Sequence, residues 1–169
     1  MYSLNVPIAG EVRELTEQLR SQLLGLDTIR ETKTLVLKRL DVTDEHAFSR
    51  AQKEVRDALR GTEPFRCRVT GIDHFERPTS GTKPVIFLTV EGHELERIHQ
   101  RLVATFGAVP GIEGEDYRPH ITLGRGGDRQ TIERLLETDI DPIAVPVNRL
   151  IYWDAHRDLP CGELPLPVR

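Results

Sequence analysis

Apolar positions along the chain follow two periods, and the alternation between them outlines the fold. Val12, Leu15, Leu19, Leu23 and Leu24 are spaced for one helical face over 11–24, and Leu95, Ile98, Leu102, Val103 and Phe106 predict a second such helix over 93–106. Two more helices are expected near 44–60 and 128–138, the first opened by Thr43 or Asp44 and the second by Asp128. Between them lie strand-like runs at Tyr2–Ile8, 31–40, 65–72, Val85–Val90, around residue 120, and at 144–153. The order strand, helix, strand, helix, strand therefore occurs twice, a repeat too long for a solenoid and suited to two facing lobes. This predicts one bilobal α+β domain over 1–169. Its two pseudo-symmetric lobes, about 1–75 and 84–153, would each be a small antiparallel sheet with outer helices, with a cleft between the sheets. Residues 154–169, rich in proline, form an extended tail.

The best-defined chemistry lies in Tyr117-Arg118-Pro119-His120-Ile121-Thr122-Leu123-Gly124-Arg125. Pro119 biases Arg118 toward an extended conformation, the residues that follow are β-branched or apolar, and Gly124 ends the run. Strand alternation puts His120 and Thr122 on one face and Ile121 and Leu123 on the buried one. An imidazole and a hydroxyl projecting together suit phosphate chemistry, one as a titratable proton carrier and the other as a donor to a non-bridging oxygen.

Composition narrows the field. A formal net charge of −4 argues against a protein that coats nucleic acid through a globally basic surface. A local basic cleft is compatible with it, because Lys38, Arg39, Arg66, Arg68, Arg118, Arg125 and Arg129 lie around the motif strands. No apolar run approaches the ~20 residues of a membrane helix, and the opening segment lacks a basic leader with a long apolar core, so a cytoplasmic location is expected. Cys67 and Cys161 lie in different halves without a Cys-x-x-Cys pair, and His74 and His156 lie in or beside loops without acidic or thiol partners at metal spacing. His93 and His99 sit on different faces of their helix, and His46 is read as a surface residue, which leaves His120 as the candidate catalytic histidine. Tyr152 and Trp153 alternate at a strand end, so one faces inward and the other outward.

The repeated layout, the run Phe65-Arg66-Cys67-Arg68-Val69-Thr70-Gly71-Ile72, the strand from Pro84 and above all Pro119-His120-Ile121-Thr122-Leu123-Gly124-Arg125 resemble the two-histidine phosphoesterases of the 2′-5′ RNA ligase-like family. The resemblance implies two His-x-Thr/Ser motifs facing each other across the cleft. It also implies a metal-independent reaction that opens RNA 2′,3′-cyclic phosphates to 2′-phosphates or joins and cleaves 2′-5′ linkages, with an RNA 3′ end or nucleotide cyclic phosphate as partner. No cofactor is implied. The first motif departs from that pattern. Aligning Thr34-Leu35 with Thr122-Leu123 puts Thr32 in the place of the first histidine, and parity disfavours Lys33, which shares a face with Leu35 and Leu37. On this alignment His120, Thr122, Thr34 and Thr32 form the catalytic set, with Arg125, Lys38, Arg118 and Lys33 as phosphate-binding candidates. Two function classes follow: a cyclic phosphodiesterase weakened by loss of one histidine, or a non-catalytic binder of RNA ends or nucleotide phosphates on the same fold.

Overall fold

The structure, a computed structural model, describes residues Met1–Arg169. In chain order its elements are β1 (Tyr2–Val6), α1 (Gly10–Gln18), α2 (Arg20–Leu23), β2 (Thr28–Ile29), β3 (Leu35–Leu40), α3 (Glu45–Ala58), β4 (Phe65–Phe75), β5 (Val85–Glu91), α4 (His93–Phe106), a 3₁₀ turn at Gly114–Asp116, β6 (His120–Arg125), α5 (Arg129–Leu136), β7 (Ile143–Val147), β8 (Arg149–Asp154) and β9 (Leu159–Pro165). Asp44 and Asp128 cap α3 and α5, accepting from the amides of Ala47 and Thr131 at 2.8 and 2.9 Å. No helix is long and apolar enough to cross a membrane.

All strand pairs are antiparallel, in the order β7-β4-β5-β6-β3-β1-β8-β9, with the short β2 added to β6. Two four-stranded halves meet between β3 and β6, where a single bridged pair, Leu35 with Ile121, joins them. The architecture is thus α+β with two sheet halves that diverge from a narrow seam, and strand order is mirrored about it. Strand residues such as Leu4, Leu37, Ile86 and Leu123 pack with Val55, Ile98, Leu102 and Leu135 of the helices into one apolar core. At roughly 25 cal/mol per Å² of buried apolar surface, that shared core is what holds the two halves together across so thin a seam.

The halves do not follow the 1–75 and 84–153 boundaries expected from the repeat. β4 pairs with β5 and β7, whereas β8 pairs with β1 and β9. The third strand of each repeat crosses to the other half, which a local sequence pattern cannot reveal because pairing partners are set by topology. The crossing also breaks the expected strand 144–153 at Asn148, between β7 and β8. The tail is a paired strand, β9, from Leu159 onward. The expected strand at 31–40 begins only at Leu35, so Thr32, Lys33 and Thr34 lie in the segment leading into β3.

Candidate functional site

The two strands at the seam carry the same irregularity. Along β3, Leu4 pairs with Lys38 but Asn5 pairs with Val36, so Leu37 is an extra residue. Along β6, Ile86 pairs with Gly124 but Phe87 pairs with Thr122, so Leu123 is an extra residue. Two β-bulges at matching points, together with the Leu35–Ile121 bridge, fix how the halves correspond. Thr34-Leu35-Val36-Leu37-Lys38-Arg39 superposes on His120-Ile121-Thr122-Leu123-Gly124-Arg125. In this register Thr34 stands where the other half has His120, and Val36 where it has Thr122. Leu37 and Leu123 are both fully buried, and Arg39 and Arg125 both return to the open face.

That open face is a groove of about 430 Å³ containing His120, Thr122, Thr34 and Val36. His120 sits against the rings of Phe75 and Phe87, each with its centroid 5.1 Å away. Its Nδ1 lies 2.6 Å from the carbonyl oxygen of Arg118. Since a carbonyl can only accept, Nδ1 carries the proton, and Nε2 is left as a lone-pair nitrogen with no protein partner. Burial lowers the His120 pKa, and the bond to Arg118 opposes that shift only in part. At neutral pH the side chain is therefore a neutral imidazole with a free basic nitrogen.

Five arginines, Arg30, Arg39, Arg77, Arg118 and Arg125, line the same groove, and Asp116 is its one acid. Arg30 reaches Asp158 at 3.1 Å, and Arg125 donates to the carbonyls of Ser80 and Thr82 at 2.7 and 3.3 Å, fastening the loop after β4. Arg77 and Arg118 have no ion-pair partner. Such a concentration of guanidinium groups attracts phosphate oxygens in preference to neutral ligands.

A sequence model of the 2′-5′ RNA ligase superfamily matches residues 35–159. The chain belongs to this superfamily. An RNA 2′,3′-cyclic phosphodiesterase of Methanothermobacter thermautotrophicus is 34% identical over 94 residues, which are 55% of this chain and 50% of that protein, so the match spans about half the length of the relative. In fold the chain is similar to TT0787 of Thermus thermophilus, with 21% identity, a TM-score of 0.68, and coverage of 98% of this chain and 97% of that one. It is equally similar to E. coli LigT complexed with 3′-AMP, with 16% identity, a TM-score of 0.69 and the same coverage.

Not every residue expected at the site is there. His120, Thr122, Thr34, Arg118 and Arg125 share the groove. Thr32 and Lys33 line a neighbouring cavity instead, and Lys33 turns its ammonium back onto the carbonyls of Arg30 and Glu31. Alignment of Thr34 with Thr122 was two residues out of register, because the bulges and the bridge place Thr34 opposite the histidine position of the other half. Lys38 was expected on the groove face by strict alternation. The bulge at Leu37 breaks that alternation, and Lys38 is 2% exposed, with its Nζ 2.6 Å from Glu113 and 2.6 Å from the carbonyl of Arg39. Arg30 and Arg77 are groove residues that the sequence did not single out, whereas strand parity already put Val36 on the face of Thr34. Arg39 was named only as one of a basic cluster, although Leu-x-Arg recurs in both motif strands and could have signalled it.

Proposed function

We propose that this member of the superfamily is a metal-independent 2′,3′-cyclic phosphodiesterase acting on RNA ends or nucleotides in the cytoplasm, with His120 as its single catalytic histidine. The observation that carries the reading is the neutral imidazole whose Nδ1 is tied to the Arg118 carbonyl and whose Nε2 is free beside Thr122 in an arginine-lined groove. In this reading Nε2 takes a proton from water as the water oxygen bonds to phosphorus. The P–O3′ bond breaks, and a 2′-phosphate is left. Thr122 and Thr34 donate to non-bridging oxygens, while Arg118 and Arg125 offset the charge that builds on them. The departing O3′ takes its proton from solvent, because Thr34 stands at the place that would hold a second imidazole. A missing general acid costs ~10² to 10⁴ in rate, so slow turnover is expected. The name of the archaeal relative points to the same chemistry.

Val36 gives weight to a second reading. A first motif with a hydroxyl at Thr34 in place of the imidazole and no donor at Val36 fits a module that binds a terminal phosphate without cleaving it. Turnover of a 2′,3′-cyclic nucleotide by wild type and His120→Ala separates the two. Phosphodiesterase activity predicts a loss of at least ~10² in kcat/KM in the variant. It also predicts an acid limb in the wild-type pH profile below the usual histidine pKa of about 6.5, since a lowered pKa keeps the base unprotonated further into acid. Absence of turnover in both proteins with retained phosphate binding would favour the binding module, and equal turnover in both would remove His120 from the chemistry.

A further inference from the structure

Beside the arginine-lined groove is a second cavity of about 510 Å³, and the two share Asn5, Thr34 and Trp153 as a common wall. Their electrostatics differ. In the second cavity Arg13, Lys33 and Arg149 are matched by Glu17, Glu31 and Glu163, with Arg149 and Glu163 paired at 3.3 Å. Its charge is therefore balanced, so it favours an uncharged occupant where the groove favours an anion. Its volume falls in the range of small-molecule sites, and Trp153, Ile151 and Pro160 supply apolar lining.

The shared wall holds two buried donors with no partner, Asn5 Nδ2 and Trp153 Nε1. Asn5 is 1% exposed, and the Ser3 hydroxyl donates to its Oδ1 at 2.8 Å, which leaves the amide NH₂ unpaired. Trp153 pairs with Ser3 across β8 and β1, while its neighbour Tyr152 turns into the core. Unsatisfied buried donors are rare in native proteins, and two on one cavity wall call for an acceptor that arrives from outside. An aromatic ring, two neutral donors and balanced charge match a nucleobase with ring carbonyl or nitrogen acceptors.

We propose that this second cavity is the nucleobase subsite of the enzyme, holding the base of the nucleotide whose cyclic phosphate lies in the arginine groove. The base stacks on the face of Trp153, and a small turn of the Asn5 side chain brings its amide N–H to an acceptor of the base; the indole N–H lies in the plane of its own ring and does not reach the stacked base. The inference rests on the phosphate-groove reading for the orientation of the ligand, but it is read by binding rather than by turnover.

Trp153 is the only tryptophan of the chain, so its emission reports this wall alone. Titration compares uridine 2′,3′-cyclic phosphate with base-free ribose 2′,3′-cyclic phosphate, by calorimetry and by tryptophan fluorescence. The base-bearing ligand is expected to bind about tenfold or more tightly and to change Trp153 emission, in line with the worth of one base stack. Asn5→Ala, and Trp153→Ala followed by calorimetry, should narrow that preference to about twofold while leaving the base-free ligand unaffected. Equal affinity of the two ligands for wild type, or a preference that both variants retain, would overturn the subsite. A base preference without turnover would leave it standing while the catalytic reading fails. Failure of the base-free ligand to bind at all would count against the phosphate groove instead.

Discussion

At the scale of single residues the two motif strands differ at two of the positions they present to the groove, and each difference has its own chemical consequence. Thr34 offers a hydroxyl where the other half offers an imidazole, so proton transfer is available from one side of the groove only. Val36 offers no donor where Thr122 offers one. The matched bulges make Thr34 the position to restore. Thr34→His should raise cyclic-phosphate turnover by up to the ~10² to 10⁴ worth of one general acid, and Thr32→His should not. The carbonyl that would orient the new ring is that of Thr32, two residues upstream, as Arg118 is for His120. It already accepts from Arg30 Nε at 2.9 Å, and its second lone pair can take the imidazole N–H. Steady-state kinetics of the two variants decide between the registers: a gain in Thr32→His alone would show that the bulge-based correspondence is wrong.

At the scale of elements, the segment between α4 and β6 is held against β3 by a buried carboxylate. Glu113 accepts from Lys38 Nζ at 2.6 Å, from the Arg39 amide at 2.8 Å and from the Val109 amide at 2.9 Å. Burial alone would push its pKa up, but these bonds outweigh burial and hold the carboxyl below the usual carboxylate range. His99 adds a second tie, with its Nδ1 2.7 Å from the Leu37 carbonyl and its Nε2 accepting from the Gly114 amide at 2.9 Å. Lys38→Ala removes the nearer of the two counter-charges of Glu113, leaving the Arg39 guanidinium at 3.8 Å, and should cost about 3 kcal/mol in chemical denaturation at neutral pH. The depressed pKa contributes stability that is present above the unfolded value of about 4.3 and is lost as pH falls through the folded one. In the variant the carboxyl protonates more readily, so the gap between the two proteins should narrow in acid. A gap that is small at pH 7, or constant with pH, would rule out the clamp. None of this was visible in the sequence. Helix positions, the Asp128 cap, the narrowing of the α3 cap to Thr43 or Asp44, and the His120 strand followed from periodicity and punctuation, because these are local signals. The bulge that buries Lys38 follows from pairing with β1, and Glu113 lies in a loop whose turn-forming residues carry no sign of the ion pair. The better alignment was present in the letters all the same, as Leu37-Lys38-Arg39 against Leu123-Gly124-Arg125. Matching Thr34 to Thr122 concealed it.

At the scale of the whole molecule, charge is segregated. The chain carries −4 overall, yet five arginines and a single aspartate line the groove, so the field there is opposite in sign to that of the molecule. Such an arrangement argues against non-specific coating of nucleic acid and, on the proposed phosphate-groove reading, concentrates the attraction for phosphate in one place. One cyclic phosphate bears one negative charge, fewer than the groove can accommodate. Arg77 and Arg118, without ion-pair partners, are the cations best able to meet further phosphates of an RNA strand. Binding of an oligoribonucleotide ending in a 2′,3′-cyclic phosphate should therefore weaken more steeply with salt than binding of the corresponding mononucleotide. For single strands the slope of log affinity against log salt is about −0.7 per phosphate contacted. Arg77→Ala should make the oligonucleotide slope shallower by about that amount. Its effect on the mononucleotide should be smaller, because Arg77 lies in the loop following β4 and not on β3 or β6, the strands that carry Thr34, His120 and Thr122 into the groove. Fluorescence anisotropy across a range of sodium chloride concentrations reads both slopes. Identical slopes for the two ligands would mean that the groove recognises a single phosphate, and that Arg77 has no role in following the strand.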